Sequence, residues 1–147
     1  MQNPYLSIIV AFMTQLRIGE AAALLQVSDD TVRRWSDAGR LATTTDESGR
    51  AVLEGAELAR FMAARAAEAP TLESPVVSAS ARNRLVGIVT RVVRDEVMAQ
   101  VELQVGPHRM VSLMSREAAD ELGLEPGVLA VATVKSTNVG IEIPAHR

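Results

Sequence analysis

An α+β chain, built from a small helical unit followed by a five-stranded antiparallel barrel, is predicted by three observations. Residues 17–68 are Ala-rich, with apolar side chains at helical spacing. Residues 84–143 are Val-rich and alternate as strands do. Between them, Glu68-Ala-Pro70-Thr-Leu-Glu-Ser-Pro75 holds two prolines and no period, which reads as a linker. The predicted organisation is an extension over 1–15, a helical domain over 16–68, a linker over 69–77 and a barrel domain over 78–147.

The first helix is expected over Ile18–Leu25, with Ile18, Ala21, Ala22 and Leu25 on one face. Gln26 and Val27 form a turn. Ser28 is a favourable N-cap for a second helix, and Asp29 and Asp30 suit its positive end. That helix runs to Ala38 and stops at Gly39, a natural residue just past a helix end. Val32 and Trp35 face the core, and Arg33 and Arg34 point away. Leu41–Thr45 and Arg50–Leu53 read as two short strands around the turn Asp46-Glu-Ser-Gly49. A third helix over Glu54–Ala67 carries Leu58, Phe61, Met62 and Arg65 at helical spacing.

Helix, tight turn, arginine-bearing helix and hairpin make the outline of a winged helix-turn-helix. Such a second helix can enter a DNA major groove. Thr31, Arg33, Arg34, Arg40, Thr43 and Arg50 are the candidate DNA-contacting residues, through phosphates, guanine edges and backbone hydroxyl contacts. A three-helix module with merely solvated arginines fits the same pattern.

In the second half, strands are expected over Leu85–Val93, Val97–Val105, His108–Met114, Val128–Val134 and Val139–Ile143. Asp95-Glu96 and Gly106-Pro107 supply the turns. Ser115 caps a short helix, Arg116–Leu122, ended by Gly123. Five strands with a helix between the third and fourth is the element order of an OB-type barrel.

Composition narrows the function. The 147 residues are 48% hydrophobic and 22% charged, as in a packed globular protein. There is no cysteine, so disulfides and thiolate metal sites are excluded, and a reducing cytoplasm is the expected compartment. The two histidines, His108 and His146, join no cluster with metal-ligand spacing, and no catalytic constellation or Gly-rich phosphate loop occurs. The expectation is a protein that is not an enzyme, carries no organic cofactor and binds no metal cation directly. The apolar run Leu6–Met13 is too short to span a membrane and lacks the marks of a signal peptide, so no membrane partner is expected. Met13 is the expected natural start. Net charge is −3, and no segment is broadly basic. DNA contact would therefore rest on a local arrangement of arginines.

Leu16-Arg-Ile-Gly-Glu-Ala-Ala-Ala-Leu-Leu-Gln-Val-Ser28, Thr31-Val-Arg-Arg-Trp35 and Gly39-Arg-Leu41 resemble the MerR-type and excisionase-type DNA-binding domain. The resemblance implies that Thr31–Trp35 lies on a recognition helix and that double-stranded DNA is a partner. Ser48-Gly49-Arg50-Ala51 lacks the aromatic usual in a MerR wing, and no long dimerisation helix follows. The excisionase-like variant is the better fit.

The barrel half has no Phe, Tyr or Trp, which argues against single-stranded nucleic acid, since OB barrels bind it by stacking bases on aromatics. It offers hydroxyls and isolated cations instead. One of them is Lys135, the single lysine among fourteen arginines. A lone lysine is also what an Arg-biased chain leaves by chance. Three segments, however, resemble the Mop domain of molbindins, TOBE domains and ModE-type regulators. They are Ser80-Ala-Arg-Asn-Arg-Leu-Val-Gly-Ile-Val89, Ser115-Arg-Glu-Ala-Ala-Asp-Glu-Leu-Gly-Leu124 and Val134-Lys-Ser-Thr-Asn-Val-Gly140. The resemblance implies an OB-like barrel that associates with further copies, as a dimer or hexamer, and holds molybdate or tungstate at subunit interfaces. It nominates Ser80, Ala81 (through its N–H), Arg82, Asn83, Ser115, Lys135 and Ser136 as oxyanion-binding residues. Ala118 stands where the family often has Ser or Thr, which removes one hydrogen bond.

The chemistry suits that ligand. Molybdate at neutral pH is a tetrahedral dianion without protons, so a matching site presents only donors. Arg82 and Lys135 would balance its two charges. The two resemblances together imply a molybdate-responsive DNA-binding regulator. The alternative is a molybdate storage protein whose helical domain serves assembly or partner binding.

Overall fold

The computed structural model describes residues 14–69 and 80–144. The expected start at Met13, most of the expected extension and the linker from Pro70 onward lie outside the described residues. The chain divides into two compact units, Met1–Thr71 and Leu72–Arg147.

In the first unit a short strand, β1 (Gln15–Arg17), leads directly into helix α1 (Ile18–Leu25). Glu20 accepts a hydrogen bond from the Arg17 N–H at 2.8 Å and satisfies one of the open donors at the helix start. Gln26 closes α1 in the left-handed conformation, at φ 56°. Helix α2 (Asp29–Asp37) begins where Ser28 accepts from the Thr31 N–H, and ends before Gly39 at φ 69°. Strands β2 (Thr44–Thr45) and β3 (Ala51–Glu54) form a hairpin, and helix α3 (Gly55–Glu68) follows.

Ile18, Ala21, Ala22, Leu25, Val32, Leu41, Leu53 and Leu58 form the buried core of this unit, with Trp35 and Phe61 packed on it. Two elements differ from the sequence expectation. Gln15, expected in an unstructured extension, opens β1, which pairs antiparallel with β3 through Leu16 and Leu53. Three residues are too few to show a period, and the partner strand supplies the order. The expected strand Leu41–Thr45 shortens to two residues. Leu41 is drawn into the helical core, and the Thr43 hydroxyl lies 2.7 Å from that of Ser36. These side-chain contacts compete with the strand ladder.

The second unit is a curled antiparallel sheet of four strands: β4 (Asn83–Arg94), β5 (Met98–Val105), β6 (His108–Ser115) and β7 (Leu129–Val134), in the order β6-β5-β4-β7. Helix α4 (Arg116–Glu121) follows β6, its first turn capped by Ser115, which accepts from the Ala118 N–H at 3.1 Å. Asp95 shapes the β4–β5 turn by accepting from the N–H groups of Val97 and Met98. These bonds, that from Met98 first, hold its carboxyl below the usual carboxylate range. β4 is shared between two partners: Asn83–Ile88 pairs with β7, and Ile88–Arg94 pairs with β5. Gly87 sits where the ladder changes hands. A Cβ there would lie 2.6 Å from the Gln104 carbonyl oxygen.

The core contains Val89, Ala99, Val101, Leu103, Ala119 and Leu124, all small or aliphatic. Arg94 ties the far end of β4 to the segment after α4. It pairs with Asp120 and Glu125, both at 3.0 Å, and donates to the Leu124 carbonyl. The expected fifth strand, Val139–Ile143, is not a strand: residues 139–144 carry no ladder. Ile141 and Ile143 are each 86% exposed. Its alternating apolar pattern is real, but a strand needs a paired neighbour, and among the described residues the segment has none. Edge strands β6 and β7 instead flank an open cavity of about 460 Å³ lined by Met110, Ser112, Met114, Leu124, Ala130 and Ala132 among others.

The outer face of the sheet holds one buried charge. Glu102 on β5 is 8% exposed and meets Arg109 of β6 at 2.7 Å and Arg91 of β4 at 3.5 Å. The hydrogen bond and charge of Arg109, helped by Gln100 and Arg91, overcome partial desolvation and hold the Glu102 carboxyl at about 2. The unfolded chain, with an ordinary value near 4.5, takes up that proton first. This pair's stabilisation is therefore complete above about pH 4.5 and is lost as the pH falls toward about 2. Urea unfolding followed across that window should show wild-type stability falling with acid. Glu102→Gln should be less stable at pH 7 and flatter below pH 4.5; parallel curves would show that the pair contributes nothing.

Candidate functional site

The last register pair of β4 and β7 is Asn83 with Val134. The segment before Asn83 and the segment after Val134 therefore leave the sheet side by side at one end. Arg82 and Lys135 are the first residues beyond that rung, and Ser80, Ala81 and Ser136 lie farther along the two departing segments. Asn83 fixes the junction by donating from Nδ2 to the Val134 carbonyl at 3.0 Å. After Lys135 the chain turns through a short 3₁₀ segment, Ser136–Asn138, closed by the Asn138 N–H donating to the Lys135 carbonyl.

Ser80, Arg82, Lys135 and Ser136 are exposed, and Ala81 and Asn83 are half-buried. Among the described residues, neither Arg82 nor Lys135 has a carboxylate within salt-bridge distance. Arg91, Arg94, Arg109 and Arg116 of the same unit are each matched to an acid, while Arg84, two residues from Arg82, is exposed and has no such match among the described residues. The cluster thus presents two uncompensated cations, two hydroxyls and backbone N–H groups, a donor set suited to an oxyanion.

Ser115 is not part of this cluster. It pairs with Met98 at the end of the sheet where β4 finishes, opposite the Asn83–Val134 end. Its oxygen serves as the α4 cap, which leaves its hydroxyl hydrogen free to donate. Six of the seven expected oxyanion residues therefore lie toward one end of the sheet, and the seventh lies at the other.

In the first unit, the six expected DNA-contacting residues differ in their surroundings. Arg33 and Arg34 are exposed on α2, and Arg50 is exposed beside the hairpin turn. That turn is rigid: Asp46 accepts from the N–H groups of Ser48 and Arg50, and Gly49 takes φ 77°. Arg40 is exposed too, and four of the six make internal contacts, Arg34 by donating to the Thr31 hydroxyl at 3.5 Å. The Thr31 hydroxyl lies 3.0 Å from that of Ser28, and the Thr43 hydroxyl 2.7 Å from that of Ser36. The Arg40 guanidinium lies over Trp35 at 5.9 Å from the ring centroid. Arg65 also covers Trp35, at 4.9 Å, and donates to the Leu25 carbonyl. Arg65, which shares its helical spacing with Leu58, Phe61 and Met62, is exposed and lays its guanidinium over the edge of the core at Trp35. Among the described residues no helix is long and apolar enough to cross a membrane, and no acidic or histidine cluster could hold a metal ion.

Each unit of the chain matches a known domain family. Residues 16–66 match the helix-turn-helix domain family and residues 79–141 match the TOBE domain family. Through the second module the chain belongs to the family of the molybdenum-pterin-binding proteins. It is 39% identical over 66 residues to molybdenum-pterin-binding protein 2 of Clostridium pasteurianum, covering 44% of this chain and 97% of that protein. Among solved structures, a molybdate-binding protein from Sporomusa ovata is 27% identical with a TM-score of 0.44, over 46% of this chain and all of that one. The cytoplasmic molybdate-binding protein ModG, solved with molybdate bound, is 27% identical with a TM-score of 0.45, over 63% of this chain and 74% of that one.

Proposed function

We propose that this protein binds molybdate or tungstate and regulates transcription in response, through a winged helix-turn-helix in its first unit. The observation that supports the ligand reading is the Asn83–Val134 register, beyond which Arg82 and Lys135 leave the sheet from adjacent strands, neither matched to a carboxylate among the described residues. A relative at 39% identity that is named for molybdenum-pterin binding supports the same chemistry. Burying a dianion without compensating charge is prohibitive, and Arg82 with Lys135 supplies that compensation.

In this reading the site is finished by self-association. Ser115, remote from the cluster in its own chain, is supplied by a second copy. The open β6 and β7 edges and the unpaired Val139–Ile143 segment favour association as well. Burying Ile141 and Ile143 in a partner's cavity would each be worth about 2 kcal/mol. A dimer and a hexamer both satisfy these requirements.

The DNA half of the proposal rests on Arg33, Arg34, Arg40 and Arg50, the four expected contacts left exposed. Its test is a binding assay on DNA from upstream of molybdate-transport genes at several salt concentrations. Arg33→Ala/Arg34→Ala should weaken binding about 10- to 100-fold. The salt slope should fall by about one for each phosphate contact removed. If wild type shows no sequence preference, or the variant binds as wild type does, the helical unit is not a DNA reader. The storage reading, with the helical unit serving assembly, then takes its place.

A further inference from the structure

Arg84 is exposed, and no carboxylate lies within salt-bridge distance of it among the described residues. We infer that Arg84 is a third cation at the anion-binding end of the second unit, one that draws the oxyanion in through its charge without ligating it. This guiding role presupposes the oxyanion site proposed above.

The ladder register places Arg84. It pairs with Thr133 across β4 and β7. Partners in a ladder carry their side chains on the same face, and successive residues of a strand alternate between faces. Lys135 lies two residues beyond Thr133 and keeps an extended backbone, at φ −63° and ψ 142°, so it continues on the face that Thr133 and Arg84 share. Arg84 and Lys135 are therefore diagonal neighbours, about 7–8 Å apart. An ion held by Lys135 lies on the order of 10 Å from the Arg84 guanidinium, too far for a ligand bond and near enough for its charge to be felt.

The charges around this end are one-sided. Asp95, Glu96, Glu117, Asp120 and Glu121 lie where β4 finishes and α4 begins, at the opposite end of the sheet. Glu142, the acid in the described segment after Lys135, is exposed and pairs with none of Arg82, Arg84 and Lys135 among the described residues. Clustered charge of one sign raises the local concentration of the opposite ion. Arg82 and Lys135 already balance the two charges of the ion, so the contribution of Arg84 is long-range attraction. Such attraction is screened by salt, whereas a direct ligand contact is screened much less.

The test is calorimetric titration of the full-length protein with molybdate at about 10 mM and at about 1 M salt, where charges act over about 30 Å and about 3 Å. Arg84→Gln is expected to weaken binding about threefold at low salt, the effect of a unit charge about 10 Å from a dianion in water, and to match wild type at high salt. Arg84→Glu doubles the change of charge and is expected to weaken binding about tenfold at low salt. Arg60→Gln makes the same change of charge as Arg84→Gln in the helical unit and is expected to leave molybdate affinity as in wild type. Melting temperatures within a few degrees of wild type show that the variants are folded. Wild-type affinity in both Arg84 variants at low salt overturns the guiding role. A loss that persists undiminished at high salt overturns it as well, because Arg84 is then a direct ligand. So does an equal loss in Arg60→Gln, which makes the effect one of net charge. Wild-type protein that binds no molybdate removes the oxyanion site itself, and the guiding role with it.

Discussion

Lys135→Ala is expected to remove molybdate binding while leaving the fold intact. Lys135 has no side-chain hydrogen bond or ion-pair partner among the described residues, so its loss disturbs no internal contact. Its proposed partner is the anion alone. Removing one member of a desolvated charge pair costs about 2–5 kcal/mol, which corresponds to about 30- to 5,000-fold in affinity. Lys135→Arg should recover only part of it, because a planar guanidinium cannot replace a compact ammonium with three convergent donors. Calorimetry and a thermal melt on the same samples decide the matter. Unchanged affinity in Lys135→Ala would refute the assignment.

Gly87→Ala is expected to be the most destabilising single-methyl change in the second unit. The cause is space, since Gly87 does not need the left-handed conformation. The added Cβ would sit 2.6 Å from the Gln104 carbonyl oxygen and 2.8 Å from a Val105 methyl. The first of these is backbone and cannot swing aside. β4 also passes from β7 to β5 at this point, so a local shift propagates into both ladders. Forcing an extra methyl into such a contact costs about 1–3 kcal/mol. For a unit of this size that is a fall in melting temperature of about 4 to 20 °C. A melting temperature equal to wild type would mean that β4 and β5 are farther apart than described here.

Much of the fold was legible because the chain changes period and composition at one place. The first two helices start and stop within a residue or so of where Ser28, Gln26 and Gly39 indicate. The β4–β7 strands follow the alternation of Val, Ile and Met. Misses came where order depends on a distant partner. β1 exists because β3 offers it an edge, and Val139–Ile143 has the pattern of a strand but no neighbour to pair with.

The residues of the proposed site can be nominated from the sequence, while their placement cannot. Asn83 and Val134 lie 51 positions apart, and only the ladder register makes them neighbours. The same register left Ser115 at the other end of the sheet, which composition could not reveal. Thr31, Thr43 and Arg40 were chosen as surface donors. Their internal partners, Ser28, Ser36 and Trp35, became visible only once the helices were placed. Glu102 carried no sequence signal beyond its place in an alternating strand, yet it is the buried carboxylate that Arg91 and Arg109 converge on.

The central claim is that oxyanion binding in one unit is coupled to DNA binding in the other. Coupling is a reciprocal free energy, so it is measurable from either side. The direct measurement is the affinity of the full-length protein for its regulatory DNA, at fixed physiological salt, with no molybdate and with saturating molybdate. A shift of at least about fivefold in apparent Kd is expected. DNA should shift molybdate affinity by the same factor. Identical DNA-binding curves, with calorimetry showing molybdate bound, would contradict regulation and leave a molybdate-storage protein.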